Sequence, residues 1–197
     1  MKLKPPTYPA RPIDGGPFTG APDKIGEWRT EPKYNGWRAL VHIASGSMFN
    51  RQLEPLSIQN EFTTALAQLR AVFSNSLVQW ADCEALERRH AIGRGTLILL
   101  DLVMPHATYA ERRAAFGAMG ITCRGIGETI KPDSLYVSPS YRDAQKTWNL
   151  ALAECNRESA ADFYEGIVMK RVDAFYPMQI RSPHFETPCW VKHRWKF

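Results

Sequence analysis

Long apolar runs are absent from this sequence. No stretch approaches the roughly 20 apolar residues of a membrane-spanning helix, and the N-terminus lacks the apolar segment of a secretory signal. Internal repeats and low-complexity tracts are absent as well. The sequence therefore predicts an ordinary globular protein of the cytoplasm with no membrane partner.

Paired cysteines and zinc motifs are also absent. Cys83, Cys123, Cys155 and Cys189 lie far apart, with no C-x-x-C pair and no histidine at zinc-ligand spacing beside them. This pattern argues against a disulfide framework or a structural zinc site. It predicts free, mostly buried thiols in a reducing compartment.

The chain has enough apolar sequence for one core and an excess of positive charge. Its 197 residues are 44% hydrophobic, which is sufficient for one well-buried core or a core with a large subdomain. A formal net charge of +5 is compatible with a polyanionic partner, because phosphates attract clustered Lys and Arg.

Two segments differ in composition and predicted structure. Residues 1–27 are rich in proline and glycine, which predicts an extended, surface-lying arm without a helix or central strand. From Trp28 onward, Trp28–Lys33 and Trp37–Ile43 have strand patterns. The Asn35-Gly36 pair between them is a strong hairpin signal, so these strands are predicted to pair.

The rest of the chain alternates helix and strand patterns irregularly. We predict a mixed α+β fold with two largely antiparallel sheets and flanking helices. One predicted strand, Thr96–Val103, is apolar enough to be buried on both faces. The other predicted elements are helices at Asn60–Phe73 with Asn60 as cap, Thr108–Gly120 ending at a glycine, and Tyr141–Glu158, and strands at Leu77–Arg89, Phe163–Arg171 and Cys189–Phe197.

Lys33 is the first candidate for chemistry. It opens the sequence "KYNGWR", a K-x-x-G-x-R pattern that is weak evidence alone and equally typical of a hairpin with charged flanks. Lysine becomes a nucleophile when a neighbouring cation, here Arg38, favours its deprotonation. Gly36 would let the backbone approach a phosphate closely.

Further charged residues follow in order. Residues two apart on a strand share a face, so Lys192 and Arg194 could address one anion, and Asp82 and Glu84 one ribose hydroxyl or hydrated Mg²⁺. Plain alternatives are solvated strand ends and a basic tail. The remaining members of the set are Arg51, Glu165 and Lys170.

This ordered set resembles the nucleotidyltransferase domain of the ATP-dependent DNA ligase family, from about Glu31 to Phe197. The family's nucleophile motif K-x-D-G-x-R is similar to "KYNGWR", and its E-G-[IVL]-[VM]-x-K motif is matched by "EGIVMK". The stretches "YAERRAAF" and "KRVDAFYPMQIRS" resemble DNA ligases more than capping enzymes. The other matching stretches are "FNRQ", "DCE", "LILLDLV" and "KHR".

The resemblance implies a nucleotide site in a groove between two sheets and a three-step reaction. Lys33 attacks ATP to form a covalent lysyl-AMP, AMP passes to the 5′-phosphate of nicked duplex DNA, and the 3′-hydroxyl displaces it. The implied site residues are Glu31 and Pro32 at the adenine edge, Leu100 at the adenine face, Arg38 and Glu84 near the ribose, Arg51, Lys170, Lys192 and Arg194 around the phosphates, and Glu84 and Glu165 for Mg²⁺.

The sequence departs from the family pattern at several positions. Asn35 replaces an aspartate, Cys83 a glycine, Leu100 an aromatic residue and Arg194 a lysine. Asn35 removes a negative charge near Lys33, from which we expect altered adenylation. Leu100 gives up aromatic stacking, which predicts lower nucleotide affinity. The residue types alone do not reject GTP.

The motifs leave alternatives open. The chain ends just after the last motif at Phe197, so residues 28–197 are expected to be a nucleotidyltransferase domain without the C-terminal OB-fold domain. A separate OB-fold or other DNA-binding partner would then complete the enzyme, and lysine adenylation by the chain alone would be weak. The alternatives are an RNA ligase acting on RNA-containing nicks and a non-catalytic adenylate- or nick-binding module.

Overall fold

The structure, a computed structural model, describes residues 3–20, 27–87, 92–157 and 163–195. The predicted α+β class is confirmed. The strands are β1 Arg11–Asp14, β2 Trp28–Tyr34, β3 Trp37–His42, β4 Met48–Phe49, β5 Trp80–Leu86, β6 Thr96–Leu102, β7 Leu135–Val137, β8 Tyr164–Arg171 and β9 Glu186–Arg194, and the α-helices are α1 Thr63–Val72, α2 Tyr109–Ala118 and α3 Ala144–Cys155.

The strands form two sheets of largely antiparallel pairing. A five-stranded sheet has the order β4-β3-β5-β6-β7, and a four-stranded sheet has the order β1-β9-β8-β2. Only the edge pairs β6/β7 and β1/β9 are parallel among the described strands. Along β6 every residue but Leu100 is buried, as the apolar pattern predicted.

The predicted hairpin between β2 and β3 is wrong. Both strands exist, but β2 pairs with β8 while β3 pairs with β4 and β5, so the Asn35-Gly36 turn carries the chain from one sheet to the other. A Cβ on Gly36 would lie 2.8 Å from the carbonyl oxygen of Ala85, so only glycine allows this crossing to lie against β5. The turn residues were identified correctly; the strands' partners were decided by tertiary packing.

The helices begin and end close to the predicted positions. Asn60 does not cap α1: it lies in a 3₁₀ turn, Gln59–Phe62, and no side-chain cap is present there. By contrast, α2 has a full capping box between Thr108 and Glu111. α3 is capped by Asp143 and ends at Cys155, so the predicted helix was too long at Asn156 and Arg157, and Glu158 lies outside the described residues.

The described part of the N-terminal arm, residues 3–20, is more than a surface segment. Thr7 and Ala10 are almost fully buried, and Tyr8 N–H donates to the carbonyl of Gln179. Within the arm, Arg11–Asp14 form β1, an edge strand that the sequence analysis did not assign. The four cysteines are free, as expected, although only Cys83 and Cys155 are buried and Cys123 is exposed.

The core lies mainly against the five-stranded sheet. Apolar residues of β3, β5 and β6 pack there against α1 and Phe116 of α2. A smaller cluster lies between α3 and the four-stranded sheet. None of the described helices is long and apolar enough to span a bilayer. A third cluster contains residues of both sheets, among them Tyr34 of β2 and Leu86 of β5, so the sheets pack on each other over part of their contact, and a groove lined by both sheets lies beside it.

Candidate active site

A groove of about 920 Å³ lies between the two sheets. Both sheets contribute to its walls, and the N-terminal arm lines one edge. It contains all of the residues that the sequence predicted for a nucleotide site, namely Glu31, Pro32, Lys33, Arg38, Arg51, Glu84, Leu100, Glu165, Lys170, Lys192 and Arg194. Residues spread over most of the chain therefore meet in one place.

Lys33 lies near the end of β2 with its amine directed at a carboxylate. The register between β2 and β8 shifts after Lys33, so Glu165 of β8 has no partner residue and forms a bulge. Bulges redirect side chains at sheet edges and next to active sites. Here the bulge brings Glu165 into contact with Lys33, and the Lys33 ammonium donates a hydrogen bond to it. Both side chains remain partly exposed.

Glu84 lies across the groove on β5. Its carboxylate accepts a hydrogen bond from Gly36 N–H at 2.9 Å, which ties the crossing after Lys33 to the opposite sheet. Burial raises the pKa of Glu84 to about 7, although Lys33, Arg38 and the Gly36 N–H lower it. A buried carboxylate so close to Lys33 can therefore gain or lose a proton near neutral pH.

Arg38 is held by a buried acid. Its guanidinium makes a bidentate contact with Asp82, at 2.9 and 2.6 Å, and Asp82 also accepts a 2.6 Å hydrogen bond from the Tyr176 hydroxyl. The carbonyl of Ala10, in the arm, accepts from the remaining guanidinium nitrogen. The sequence analysis expected Arg38 to act on Lys33 as an unpaired cation. The structure differs, because Asp82 balances the charge of Arg38.

Lys170 and Glu31 form a second buried pair. Lys170 Nζ is 3.0 Å from a Glu31 oxygen and donates to the Leu100 carbonyl at 2.9 Å, while Tyr109 donates to the other Glu31 oxygen at 2.6 Å. Both charged side chains are 2% exposed. The Glu31 carboxylate is thus occupied by protein partners, and its contribution to the groove is to hold Lys170.

Arg112 supports this pair from behind. It is fully buried and makes a bidentate contact with Asp101, whose second oxygen is 3.5 Å from Lys170. Burial would raise the pKa of Asp101, but Lys170 and Arg112 outweigh it and hold that pKa below the usual value. The sequence analysis noted "ERR" and the aspartate of "LDL" only as family resemblances and missed that they meet.

Trp190 was also missed as a site residue. It is 1% exposed, and its ring lies 4.3 Å from Lys170 Nζ and 5.6 Å from the Arg38 guanidinium carbon. Cations over an aromatic face are stabilised by its negative charge distribution. A signal was available, since Trp190 is two residues before Lys192 on a strand and so shares its face.

The remaining phosphate candidates are less constrained. Lys192 Nζ is 3.4 Å from Asp14 of the arm, and Arg194 Nε is 3.9 Å from Glu165. Arg51 is exposed at the groove's mouth, after β4. Leu100 is partly buried and faces the groove, where its side chain offers an apolar surface. Arg51 and Arg194 are therefore the more exposed of these cations, whereas the Lys192 side chain is only 10% exposed.

A magnesium ion is compatible with the two groove carboxylates. Mg²⁺ usually binds one or two carboxylates, several waters and substrate phosphates. Glu165 is close enough to Glu84 for its negative charge to add to the rise in the pKa of Glu84. Among the described residues, no group of three or more His, Cys, Asp or Glu side chains forms a site that could hold a metal by itself.

Comparisons with known proteins give structural relatives only. No protein-family model matches the sequence, and no curated protein matches it. The ligase domain of LigD from M. tuberculosis matches with a TM-score of 0.63 at 17% identity, over 95% of this chain and 59% of that one. A mycobacterial DNA ligase D complexed with ATP and MES matches with a TM-score of 0.60 at 17% identity, over 96% and 60%.

More distant ligases have the same fold. A Lig E DNA ligase matches with a TM-score of 0.56 at 13% identity, over 94% of this chain and 68% of that one. The ATP-dependent DNA ligase from bacteriophage T7, in complex with ATP, matches with a TM-score of 0.52 at 11% identity, over 87% and 63%. The chain spans about 60% of the length of the LigD structures. It therefore has the fold of the nucleotidyltransferase domain of ATP-dependent DNA ligases.

Proposed function

We propose that this chain is the adenylation domain of an ATP-dependent polynucleotide ligase. The observation that carries the proposal is Lys33, which lies partly exposed in the groove between the sheets, where six further lysine and arginine residues line the walls. Lys33 would become covalently attached to AMP, which then passes to the 5′-phosphate of a nick. The ATP-bound ligases with the same fold support ATP as the nucleotide.

The first step would join Lys33 to the α-phosphorus of ATP. The Nζ–phosphorus bond forms while the bond to the bridging oxygen breaks, pyrophosphate leaves with the electron pair, and the attached nitrogen releases a proton to water; before the attack, the Lys33 ammonium must give up another proton. Glu165 already accepts a hydrogen bond from Lys33 and lies where it can take that proton. Phosphoryl transfer depends mainly on position and charge neutralisation, which Lys192, Arg194 and Arg51 would supply.

Glu84 and Glu165 would hold Mg²⁺, which neutralises negative charge on the phosphates when bound. The buried cations have a different role. Lys170 and Arg38 are fixed by acids behind the groove, so their donors stay in place before the substrate arrives. Such preorganisation avoids reorganisation during the reaction.

Labelling of Lys33 tests the proposal. The chain is incubated with α-labelled ATP and Mg²⁺ and run on a denaturing gel, with Lys33→Ala as the test variant. The matched control is Lys146→Ala, which removes an exposed lysine on α3. We expect label on the wild type and on the control, and none on Lys33→Ala. Labelling should be slow without a partner domain.

Two outcomes would lead to other functions. If no label appears at any metal or pH, while nicked duplex still binds, the chain is a non-catalytic adenylate- or nick-binding module. If a labelled chain seals a nick with ribonucleotides on the 3′-hydroxyl side but not an all-DNA nick, it is an RNA ligase. Nicked duplex DNA is the expected substrate because the structural relatives are DNA ligases.

A further inference from the structure

Four residues close a ring of hydrogen bonds beside the groove. Arg38 donates to Asp82 from Nε at 2.9 Å and from Nη2 at 2.6 Å, and its Nη1 donates to the Ala10 carbonyl. The Tyr176 hydroxyl donates to Asp82 at 2.6 Å and accepts a long hydrogen bond, 3.5 Å, from Ala10 N–H. Arg38 is therefore tied to Tyr176 by two routes, one through Asp82 and one through the N-terminal arm.

The ring leaves part of Arg38 open to the groove. The Arg38 side chain is 22% exposed, whereas Asp82 is fully buried and Tyr176 is 2% exposed. Among the hydrogen bonds of the described residues, each guanidinium nitrogen of Arg38 uses one N–H in the ring, so one N–H on each terminal nitrogen remains for a ligand. Such donors fit the acceptor oxygens of a nucleotide.

Several contacts hold Tyr176 in place. Its ring makes an edge contact with Trp190, with 6.0 Å between the ring centroids, and the Arg38 guanidinium carbon lies 5.6 Å from the centroid of the same Trp190 ring. The backbone before Tyr176 is fixed as well, because the Ala174 carbonyl accepts from Tyr109 N–H at 2.8 Å. Tyr176 therefore supports Arg38 through Trp190 on its face and through Asp82 on its edge.

The Tyr176 hydroxyl keeps its proton at neutral pH. Burial, and after it the negative charge of Asp82, raise the pKa of Tyr176 well above its ordinary value. The hydroxyl is therefore the donor in its contact with Asp82. A neutral donor satisfies the buried carboxylate without adding a positive charge, so the negative charge of Asp82 stays available to Arg38.

We propose that Tyr176 is a positioning residue that acts on the nucleotide through Arg38. Its hydroxyl fixes the Asp82 carboxylate, and the carboxylate fixes the plane of the guanidinium, so the two open N–H donors of Arg38 have a set direction before a ligand binds. Without the hydroxyl, Asp82 and Arg38 can rotate together and the donors lose that direction. The role rests on the proposed function, since it takes the ligand of Arg38 to be an adenylate.

Tyr176→Phe tests the proposal because it removes the hydroxyl and keeps the ring. AMP is titrated into wild type and variant by calorimetry, and labelling of Lys33 by α-labelled ATP is measured on the same preparations. We expect AMP to bind the variant about tenfold more weakly, because a hydrogen bond to a charged group is lost from the support of Arg38. KM for ATP should rise by a similar factor while the maximal rate changes less than about twofold.

A double-mutant cycle separates positioning from a loss of stability. Arg38→Lys replaces the planar fork by a single ammonium, which Asp82 cannot hold in a fixed plane. In the Arg38→Lys background, Tyr176→Phe should weaken AMP binding by less than about twofold, since no guanidinium is left to orient. Urea denaturation gives the stability of each variant. A purely structural hydroxyl would lower stability in both backgrounds and leave the AMP affinity of the folded protein unchanged.

Tyr136→Phe is the matched control. Tyr136 is another buried tyrosine, 5% exposed, and its hydroxyl accepts from Lys131 N–H at 3.2 Å, outside the groove lining. This variant should bind AMP as the wild type does.

Five outcomes would overturn the role of Tyr176: wild-type AMP affinity in Tyr176→Phe, failure of that variant to fold, equal weakening in Tyr136→Phe, a full additional loss in the Arg38→Lys background, or no AMP binding by any protein. Failure of the proposed function is read separately. If AMP binding follows the expected pattern but no label appears on Lys33, the positioning role stands and the adenylation reaction does not.

Discussion

The ion pairs on the two sides of the groove differ in their exposure to solvent. Behind the groove, Arg112 with Asp101 and Lys170 with Glu31 are pairs at 2% exposure or less. At its open side, Lys33 with Glu165 has side chains 19% and 24% exposed. The buried pairs are shielded from solvent, and each is held by several hydrogen bonds. The Lys33–Glu165 pair is accessible to solvent and ligands.

The difference separates architecture from chemistry. A buried charge without its partner is costly because neither water nor protein compensates it, so the buried pairs are expected to determine stability. A partly exposed pair contributes little to stability and can be exchanged for a phosphate. The same residue types thus serve both roles, and burial decides which.

Breaking the buried set should have the largest effect on stability. Arg112→Met removes the bidentate partner of Asp101 and leaves that carboxylate with Lys170 and the Leu102 N–H. We expect a loss of about 3–5 kcal/mol in the free energy of unfolding, measured by urea denaturation. The control is Arg171→Met, at an exposed pair with Asp173, which should cost less than about 1 kcal/mol. If both variants lose the same free energy of unfolding, buried and exposed ion pairs do not differ in their contribution to stability.

Glu84 lies between the two sets and should make stability depend on pH. Folding raises the pKa of Glu84 from 4.5 to about 7, so the folded state binds the proton more tightly than the unfolded state does. Proton binding therefore adds to the free energy of unfolding below pH 4.5, and this stabilisation is lost as the pH rises through 7. Glu84→Gln keeps a neutral group at this position. The free energy of unfolding of Glu84→Gln, expressed relative to that of the wild type, should rise by about 2–3 kcal/mol from about pH 5 to about pH 8.

Urea unfolding at both pH values measures this gain. Glu54→Gln, at an exposed carboxylate outside the groove lining, is the control and should show no such gain. If Glu84→Gln changes the free energy of unfolding by the same amount at both pH values, the result contradicts a raised pKa of buried Glu84.

Removing the open pair should affect chemistry much more than stability. We expect Lys33→Ala to change the free energy of unfolding by less than about 1 kcal/mol while it abolishes labelling by α-labelled ATP. Chemical denaturation and the labelling gel are done on the same preparation. A loss of stability as large as that of Arg112→Met would place Lys33 with the buried set instead.

Asn35→Asp should have the smallest effect. It restores the acidic residue of the DNA ligase motif at a half-buried turn next to Lys33. One partly solvated charge should change the rate of labelling by at most about fivefold, with a changed pH profile. The measurement is the initial labelling rate across pH. Identical profiles for wild type and variant would show that Asn35 does not influence adenylation.

Part of the fold was predictable because local patterns are strong. The apolar run of β6 was predicted from the sequence, and the end of α2 was predicted to within two residues, since α2 ends at Ala118 and Gly120 follows with a positive φ. The hairpin prediction failed because Asn35-Gly36 fixes a turn but not which sheet each strand enters. Asn60 failed as a cap because a 3₁₀ turn precedes α1. The arm's β1 has too few residues to show a strand pattern.

The candidate site shows the same division. Lys192 and Arg194, which are two residues apart on β9, both line the groove, and their role there stays a prediction. Spacing could not show that the Glu31 carboxylate faces Lys170 and Tyr109, because these residues lie on three elements far apart in the chain. The Glu165 bulge was likewise invisible, since it depends on the register between β2 and β8.

The sequence by itself determined the residue types of the groove, their order and the α+β class, because local periodicity and motif spacing are written along the chain. Only the tertiary structure decided which charges are buried and which remain open to a ligand. Burial depends on contacts between distant strands and on the arm that brings Asp14 to Lys192. Since desolvation sets the cost of separating a charge from its partner, those contacts decide whether a lysine is structural or available for chemistry.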